Sequence, residues 1–531
     1  MMELFRSYER NDVMTERIYN AAVELVDRNI EKGYGEKTAI YYREQEISYD
    51  QLLKQVNKAG NGFKSLGIEI ENRVMLLLPD CPQFFYTFLG AIKIGAVAVP
   101  VNTLLRANDY LYVLNDCRAK VLVVSEEMVN LIEPILAEAE YLKQIVVVGR
   151  AKEGEIAFDS LIAAQPEELT AAKTCPDDTA FWVYSSGTTG FPKGVVHLHH
   201  DMIYAADTYT NEVLSLTPND VMYSTSKLFF SYGLGNALYY PLRNGAATVL
   251  CPERPEPKVI MEIINIYRPT LFFSVPTSYA ALLQATVNHP NAFQGLRLCV
   301  SSGEPLPEIL YSRWKERFNI EIIDGMGCSE ACNTFLSNRP GAVVPGSAGK
   351  VLPGYEVRIV DENGNILPFG EVGTLQVKGD SLAAGYWNQH EKTKDSFLGH
   401  WFSTGDRFYL DEAQNLFYVG RADDMLKVGG IWVSPIEVER TIMRHDAVLE
   451  CGVIGKEDNN NLVKPKAFIV LKDGYQASQE LEKEIKDFVK EQIAHYKYPR
   501  WIQFVSELPK TATGKIQRYK LRALEATEDA V

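Results

Sequence analysis

AFWVYSSGTTGFPKGVVHLHH, residues 180–200, changes character twice. AFWV is a short apolar run of the kind that forms a buried strand, and VVHLHH opens a second apolar element. Between them YSSGTTGFPKG, residues 184–194, is a polar loop displayed at a strand end. Its small residues Ser185, Ser186, Gly187, Thr188, Thr189 and Gly190 let backbone N–H groups converge on one concavity, and their hydroxyls add donors. Lys193 brings a mobile positive charge. Loops of this make hold phosphate. A nucleotide loop of the GxxxxGK[ST] type is disfavoured, because the lysine stands six residues after Gly187 and is followed by Gly194.

Outward from this loop, β-branched apolar runs recur with helical stretches between them: RVMLLLP near 73, GAVAVPVN near 95, KVLVVSE near 120, QIVVVGR near 144, AATVLCPE near 246, TLFFSVP near 270 and LRLCVSSGE near 296. Continuous apolar runs of this kind are parallel strands covered by helices on both faces, so the fold class is α/β with doubly wound sheets. Several end in Pro, Gly, Ser or Glu, which puts binding loops at the carboxyl ends of strands. From about 345 the texture turns to shorter alternating segments with Gly-rich turns, as in GYEVRIVDENGNILPFGEVGTLQVKG, and reads as an antiparallel β subdomain. Beyond GRADDMLKVGG, residues 420–430, the run IEVERTIMRHDAVLECGVIG, then KAFIVLKDG, then the charged amphipathic stretch ELEKEIKDFVKEQIAHY read as a small α+β domain. The expected organisation is a large N-terminal domain over 1–422, with the β subdomain at about 345–422, and a small C-terminal domain over 423–531.

Composition narrows the function classes. The 531 residues are 46% hydrophobic and 23% charged, ordinary for a globular chain, without low-complexity tracts or internal repeats. A net charge of −15 argues against a general nucleic-acid binder, which needs a basic surface. The N-terminal MMELFRSYERNDVMTER is dense in charge, and no apolar run approaches membrane-spanning length, so a cytoplasmic protein without membrane partners is expected. Eight scattered cysteines, without CxxC pairs, read as free thiols.

Five further motifs follow the phosphate-type loop in order. They are SSGEP at 301–305, DGMGCSE at 324–330, STGD at 403–406, GRADDMLKVGG at 420–430 and PKTATGK at 509–515. In this order the set resembles the signatures of the adenylate-forming superfamily, which comprises acyl-CoA synthetases, carrier-loading adenylation domains and firefly luciferase. The resemblance covers nearly the whole chain. It implies ATP, Mg²⁺ and CoA as co-substrates and metal, with a carboxylate converted first to an acyl-adenylate and then to a thioester.

Roles for single residues come from that resemblance. Glu330 would hold Mg²⁺ on the ATP phosphates, and Ser329, where the family commonly has Thr, would put a hydroxyl near the α-phosphate. Gly303, Glu304 and Pro305 would line the adenine slot, with the Asp324 backbone near the exocyclic amine. Gly325, Met326 and Gly327 would continue along the nucleotide, Gly325 and Gly327 also bordering the acid. Asp406 and Arg421 suit the ribose hydroxyls from two sides. Lys515, in a Thr/Gly-rich turn, would reach carboxylate and α-phosphate together in the first half-reaction, alongside Lys193 on the leaving phosphates. For the second half-reaction the family rotates its C-terminal domain about a hinge that matches Asp423, and Gly429 and Gly430 would admit the pantetheine arm of CoA.

The acid is read from SKLFFSYGLGNALYYPL, residues 226–242, the substrate-pocket signature, in which LFFSYGLGN resembles benzoate-CoA ligases. Ser231, Tyr232 and Gly233 would wall a short, flat pocket, completed by Asn333 and Thr334. Benzoate ligases carry a histidine and an aliphatic residue at those last two positions. Benzoate, a hydroxylated benzoate, a reduced alicyclic carboxylate and a short branched acid therefore all stay open. Because ALEATEDAV closes the sequence without an appended carrier unit, free CoA is the expected thiol, a separate carrier protein being the alternative; a monomer or homodimer is expected. HLHHD, residues 197–201, lies where the helix after the loop begins and reads as structure rather than a metal site, and GLGNAL lacks the third glycine of a dinucleotide fingerprint.

Overall fold

The apolar runs form the strands of a computed structural model that describes residues 18–185, 192–289, 291–421, 424–428, 431–458, 462–510 and 516–528. Val121–Ser125, VLVVS, is buried along its whole length and pairs in parallel with Arg73–Leu77 on one side and Gln144–Val148 on the other. Val97–Pro100 lies beyond Arg73–Leu77, followed by Thr179–Ser185 and then by Lys193–Leu198, which runs antiparallel to it. Strands covered on both faces need no polar side, which is why these runs do not alternate. Helix Pro82–Lys93 is buried at every position except Gln83, and its proline sits in the first turn, where a missing N–H costs nothing. Helix Tyr49–Ser65 opens on a capping box: Gln51 N–H donates to Ser48 Oγ at 3.2 Å, and Ser48 N–H to Gln51 Oε1 at 2.8 Å.

By packing, the described chain falls into two compact units. One runs up to Ala206 and takes in Ala383–Asn388; the other covers Asp207–Leu382 and the described residues from Gln389 onward. The boundary expected near Asp423 falls on residues outside the described set.

In the second unit five parallel strands lie side by side in the order Ala247–Leu250, Val221–Ser224, Leu271–Ser274, Leu298–Ser301 and Ile322–Gly327. Thr334–Ser337 then turns back antiparallel on the last of them. The segments 226–242, 301–305 and 324–330 thus leave the carboxyl ends of strands in one sheet, where open α/β sheets bind ligands. The alternating region expected from 345 is an antiparallel sheet of Glu356–Val360, Gly373–Lys378, Trp401–Leu410, Phe397–Leu398 and Leu416–Arg421. Every second residue from Phe402 to Phe408 is buried, the period of a strand with one face on a core.

Further along, Val448–Glu457 and Val463–Leu471 pair antiparallel, and Trp501–Phe504 joins in parallel. Helices Pro435–Ile442 and Gln479–Gln492 give this sheet its own core through Val438, Ile442, Ile485 and Val489. In the second helix Leu481, Ile485 and Val489 recur every fourth residue on the buried stripe, and Ser478 Oγ caps it by accepting the Leu481 N–H at 3.1 Å. Among the described residues no helix is long and apolar enough to cross a membrane.

Candidate active site

The ends of the phosphate-type loop form the tip of a hairpin in which Ser185 stands opposite Lys193. Lys193 Nζ donates to the Tyr386 hydroxyl at 2.7 Å and stands 3.9 Å from the centre of that ring. Tyr184, one residue before Ser185, donates its hydroxyl to Asp116 Oδ2 at 2.5 Å, and the Asp116 carbonyl accepts the Trp387 indole N–H at 2.8 Å. Burial pushes the Asp116 carboxyl above its usual range, with the Tyr184 hydroxyl opposing. Both stems of the loop are therefore anchored to side chains far from it in sequence.

Glu330 lies in the single turn Ser329–Ala331 at the end of Ile322–Gly327, and is 8% exposed. Cys332 closes that turn with φ +67° and ψ −47°, a conformation that persists only where its surroundings hold it. Tyr239 supplies the hold: its hydroxyl lies 3.4 Å from the Cys332 carbonyl oxygen and 3.5 Å from the thiol. Ser329 Oγ is 3.2 Å from Ser231 Oγ, so the Glu330 turn and the acid segment are hydrogen-bonded neighbours.

Asn333 ties the same two pieces together. Its Nδ2 donates to the Ser231 carbonyl at 2.9 Å, and its Oδ1 accepts the Thr334 hydroxyl at 2.9 Å. The polar ends of Asn333 and Thr334 are thus turned to the protein, and both residues are buried. The acid segment needs glycine where it folds back. A Cβ on Gly233 would lie 2.1 Å from the Lys227 carbonyl oxygen, and one on Gly235 would lie 2.0 Å from Asn333 Nδ2. Tyr232, half-buried, sets its hydroxyl 3.5 Å from the carbonyl oxygens of Ser274 and Val300, at the carboxyl ends of two neighbouring strands. Burial, with the Tyr209 and Asp324 charges adding, holds this phenol well above its usual range, so it stays a neutral donor.

Gly325, Met326 and Gly327 pair with Ser337, Leu336 and Thr334 in the hairpin that carries this turn. The Asp324 carbonyl accepts from the Asn338 N–H at 2.9 Å and from Asn338 Nδ2 at 3.1 Å. Asp324 Oδ2 accepts the Leu306 N–H at 3.0 Å, pinning the loop of Gly303, Glu304 and Pro305 to its strand. Burial pushes the Asp324 carboxyl up to about 7, opposed by the Leu306 N–H, the Ser301 hydroxyl and the Arg440 charge. Glu304 Oε1 accepts the Ile516 N–H at 3.2 Å.

Asp406 and Arg421 stand directly opposite one another across two antiparallel strands. Arg421 Nη1 donates to Asp406 Oδ1 at 3.3 Å and to the Thr404 carbonyl at 3.2 Å. A carboxylate that accepts beside a guanidinium that donates matches the hydrogen-bonding pattern of a vicinal diol. Ser186, Gly187, Thr188, Thr189, Gly190, Asp423, Gly429, Gly430 and Lys515 lie outside the described residues.

Some partners carry no sequence signal. Tyr386 reaches Lys193 across 193 positions, and Tyr239 reaches Cys332 across 93. Arg518 Nη2 donates to both oxygens of Glu439, at 2.8 and 2.7 Å, and Arg522 reaches Asp424 at 3.1 Å. The histidines of HLHHD have structural partners: His197 Nδ1 lies 2.7 Å from Asp201 Oδ2, and His199 Nδ1 accepts the N–H of distant Ala21 at 3.0 Å, its pKa drawn down to about 4 by burial.

Comparison with known proteins agrees with this geometry. The family model described as AMP-binding enzyme matches residues 26–387, and that of the AMP-binding enzyme C-terminal domain matches residues 437–515. The chain is 47% identical to the benzoate-CoA ligase of Thauera aromatica over 507 residues, covering 95% of this chain and 96% of that protein. A solved anthranilate CoA ligase, AuaEII, in complex with anthranoyl-AMP superposes with a TM-score of 0.93 at 43% identity, covering 97% of this chain and 99% of its own. A solved benzoate CoA ligase of Burkholderia xenovorans LB400 gives a TM-score of 0.89 at 41% identity, covering 95% of this chain and 100% of its own. With both family models matched in order along its length, the chain belongs to the AMP-binding enzyme family.

Proposed function

We propose that this protein is an ATP-dependent, AMP-forming aryl carboxylate-CoA ligase that acts on benzoate or a close derivative. The hydrogen bond between Ser231 and Ser329 carries the reading, because it sets the acid segment beside the turn that bears Glu330. A carboxylate presented from the Tyr232 side meets a nucleotide held on the Glu330 side. Likeness to the Thauera aromatica benzoate-CoA ligase supports the aryl acid, as does likeness to the 4-hydroxybenzoate-CoA/benzoate-CoA ligase of Rhodopseudomonas palustris, 44% identical over 521 residues.

The reaction runs in two displacements. A carboxylate oxygen attacks the α-phosphorus of ATP, forming the acyl C–O–P linkage and breaking the bond to pyrophosphate. The CoA sulfur, losing its proton, then attacks the acyl carbon, and the C–O bond to AMP breaks. Two anions approach one another in the first step, so cationic and hydrogen-bonding groups must compensate at the point of attack. Ser329 and Lys515 are the groups assigned to the α-phosphate, and Lys193 with the loop 185–190 to the leaving phosphates. Gly303, Glu304, Pro305 and Asp324 border the adenine, and Asp406 with Arg421 takes the ribose diol.

Glu330 is the residue that would hold Mg²⁺, an ion that arrives on the triphosphate. Held there, Mg²⁺ would supply charge neutralisation to the phosphates. The domain boundary and hinge are assigned to Asp423, with Gly429 and Gly430 admitting the thiol arm in the second step. The separate core of the C-terminal sheet supports that division.

A panel assay tests the reading: ATP- and CoA-dependent AMP release with benzoate, hydroxybenzoates, anthranilate, cyclohexane- and cyclohexenecarboxylate and short fatty acids. Aryl acids should lead the ranking. Losing the Tyr232 ring in Tyr232→Ala should cut kcat/KM for the preferred acid by about ten- to hundredfold and reorder the panel. An unchanged ranking refutes the pocket role of Tyr232, and turnover of aliphatic acids alone refutes the aryl reading.

A further inference from the structure

Glu304 has a partner that an adenine-slot residue does not require. It stands in the loop between strand Leu298–Ser301 and helix Glu308–Phe318, and Leu306, two residues on, is pinned to Asp324. From this fixed loop its carboxylate accepts the backbone N–H of Ile516, at 3.2 Å across 212 positions of sequence. Ile516 follows Lys515 directly.

The donor on the C-terminal side is itself well held. Lys510 and Ile516 pair as an antiparallel bridge, and the Gln517 N–H donates to the Pro509 carbonyl at 2.8 Å. Lys510 Nζ binds both oxygens of Glu450, at 2.6 and 2.7 Å, which fastens this bridge to strand Val448–Glu457. One further group of the C-terminal region feels the charges on either side of this loop. Arg440, on helix Pro435–Ile442, is drawn below its usual pKa by burial, and the charges of Asp324 and Glu308 oppose that shift.

We infer that Glu304 is a positioning residue for the adenylate-forming step: its carboxylate clasps the backbone beside Lys515 and so selects the arrangement of the C-terminal region in which that lysine serves ATP and acid. The inference rests on the two-step ligase reading with its turning C-terminal domain. An ionised carboxylate only accepts, and a backbone N–H is a donor present whatever the side chain, so the clasp depends on where Ile516 sits and not on its identity. When the C-terminal region turns for the thioester step, the Ile516 N–H leaves and Glu304 is released. A residue that only lined the adenine slot would act on nucleotide affinity in both steps alike.

The test compares the half-reactions in Glu304→Ala and Glu304→Gln. Carboxylate-dependent exchange of labelled pyrophosphate into ATP reports the first, and single-turnover thioester formation from purified benzoyl-AMP and CoA reports the second. In Glu304→Ala the ratio of exchange rate to thioester rate should fall about tenfold, the loss expected for a hydrogen bond to a charged group, with the effect in kcat for exchange and not in KM for ATP. Glu304→Gln keeps an acceptor oxygen and should recover most of the ratio. An unchanged ratio, or a loss confined to KM for ATP, overturns the clasp while leaving the ligase reading in place. Absence of acid-dependent exchange in the wild-type protein overturns the ligase reading, and the clasp with it.

Discussion

Asp324 shows how a residue legible in the sequence acquires a property that is not. DGMGCSE marks the end of a strand, and Asp324 is indeed the strand position opposite Ser301. Its surroundings come from elsewhere: Leu306 from a neighbouring loop, Asn338 from the next hairpin and Arg440 from beyond the β sheet. Burial raises this carboxyl from 3.8 to about 7, so the folded protein keeps a proton that the unfolded chain gives up. Between those pH values the native state binds more protons, and stability falls as pH rises. At about 1.4 kcal/mol for each pH unit, the full effect is about 4 kcal/mol, present only above pH 7. Asp324→Asn cannot ionise. Its apparent melting temperature should match the wild type near pH 4 and exceed it by a margin that widens up to about pH 7 and then stays constant; a variant less stable than wild type near pH 8 would show that the ionised carboxylate is stabilising. Lys193 and Tyr386 teach the same lesson, since the loop motif announces the lysine, but only the fold brings the phenol to it.

Strands were the most legible elements, because a run such as VLVVS is buried on both sides whatever surrounds it. The segment 226–242 was legible as a motif but not as geometry. Its chain passes from the short helix Ser231–Leu234 into a wider π-helical turn, Gly235–Tyr239, and then into Tyr240–Asn244. Such turns are rare and gather at functional sites. Nothing in the sequence says that Gly233 faces two carbonyl oxygens, because the contact arises when the segment folds back on Ser226 and Lys227. Gly233→Ala should destabilise the protein by about 1–3 kcal/mol, the cost of forcing an added methyl into a packed site, and raise KM for the acid. Denaturation midpoints with acid titrations check this, and wild-type values for both would show that the segment can yield. Asn333 and Thr334 departed visibly from the benzoate-ligase pattern, yet the sequence could not show that the Asn333 carboxamide is spent on Ser231.

Function was legible over the full length of the chain because each motif is contiguous and the motifs keep their order. What joins them was not. The Arg518–Glu439 and Arg522–Asp424 pairs close over 79 and 98 positions, and pairing at such separations follows from packing rather than spacing. These charges lie within the C-terminal region, beside the candidate hinge in sequence, and the contact of Glu304 with Ile516 is what ties that region to the 301–305 motif. All of these assignments depend on one chemical event, the attack of a carboxylate oxygen on the α-phosphorus of ATP. Turnover with benzoate labelled with ¹⁸O in its carboxylate follows that event directly. The account predicts one labelled oxygen in the phosphate of AMP and the other in the thioester carbonyl; label in inorganic phosphate, or unlabelled AMP during thioester formation, would contradict it.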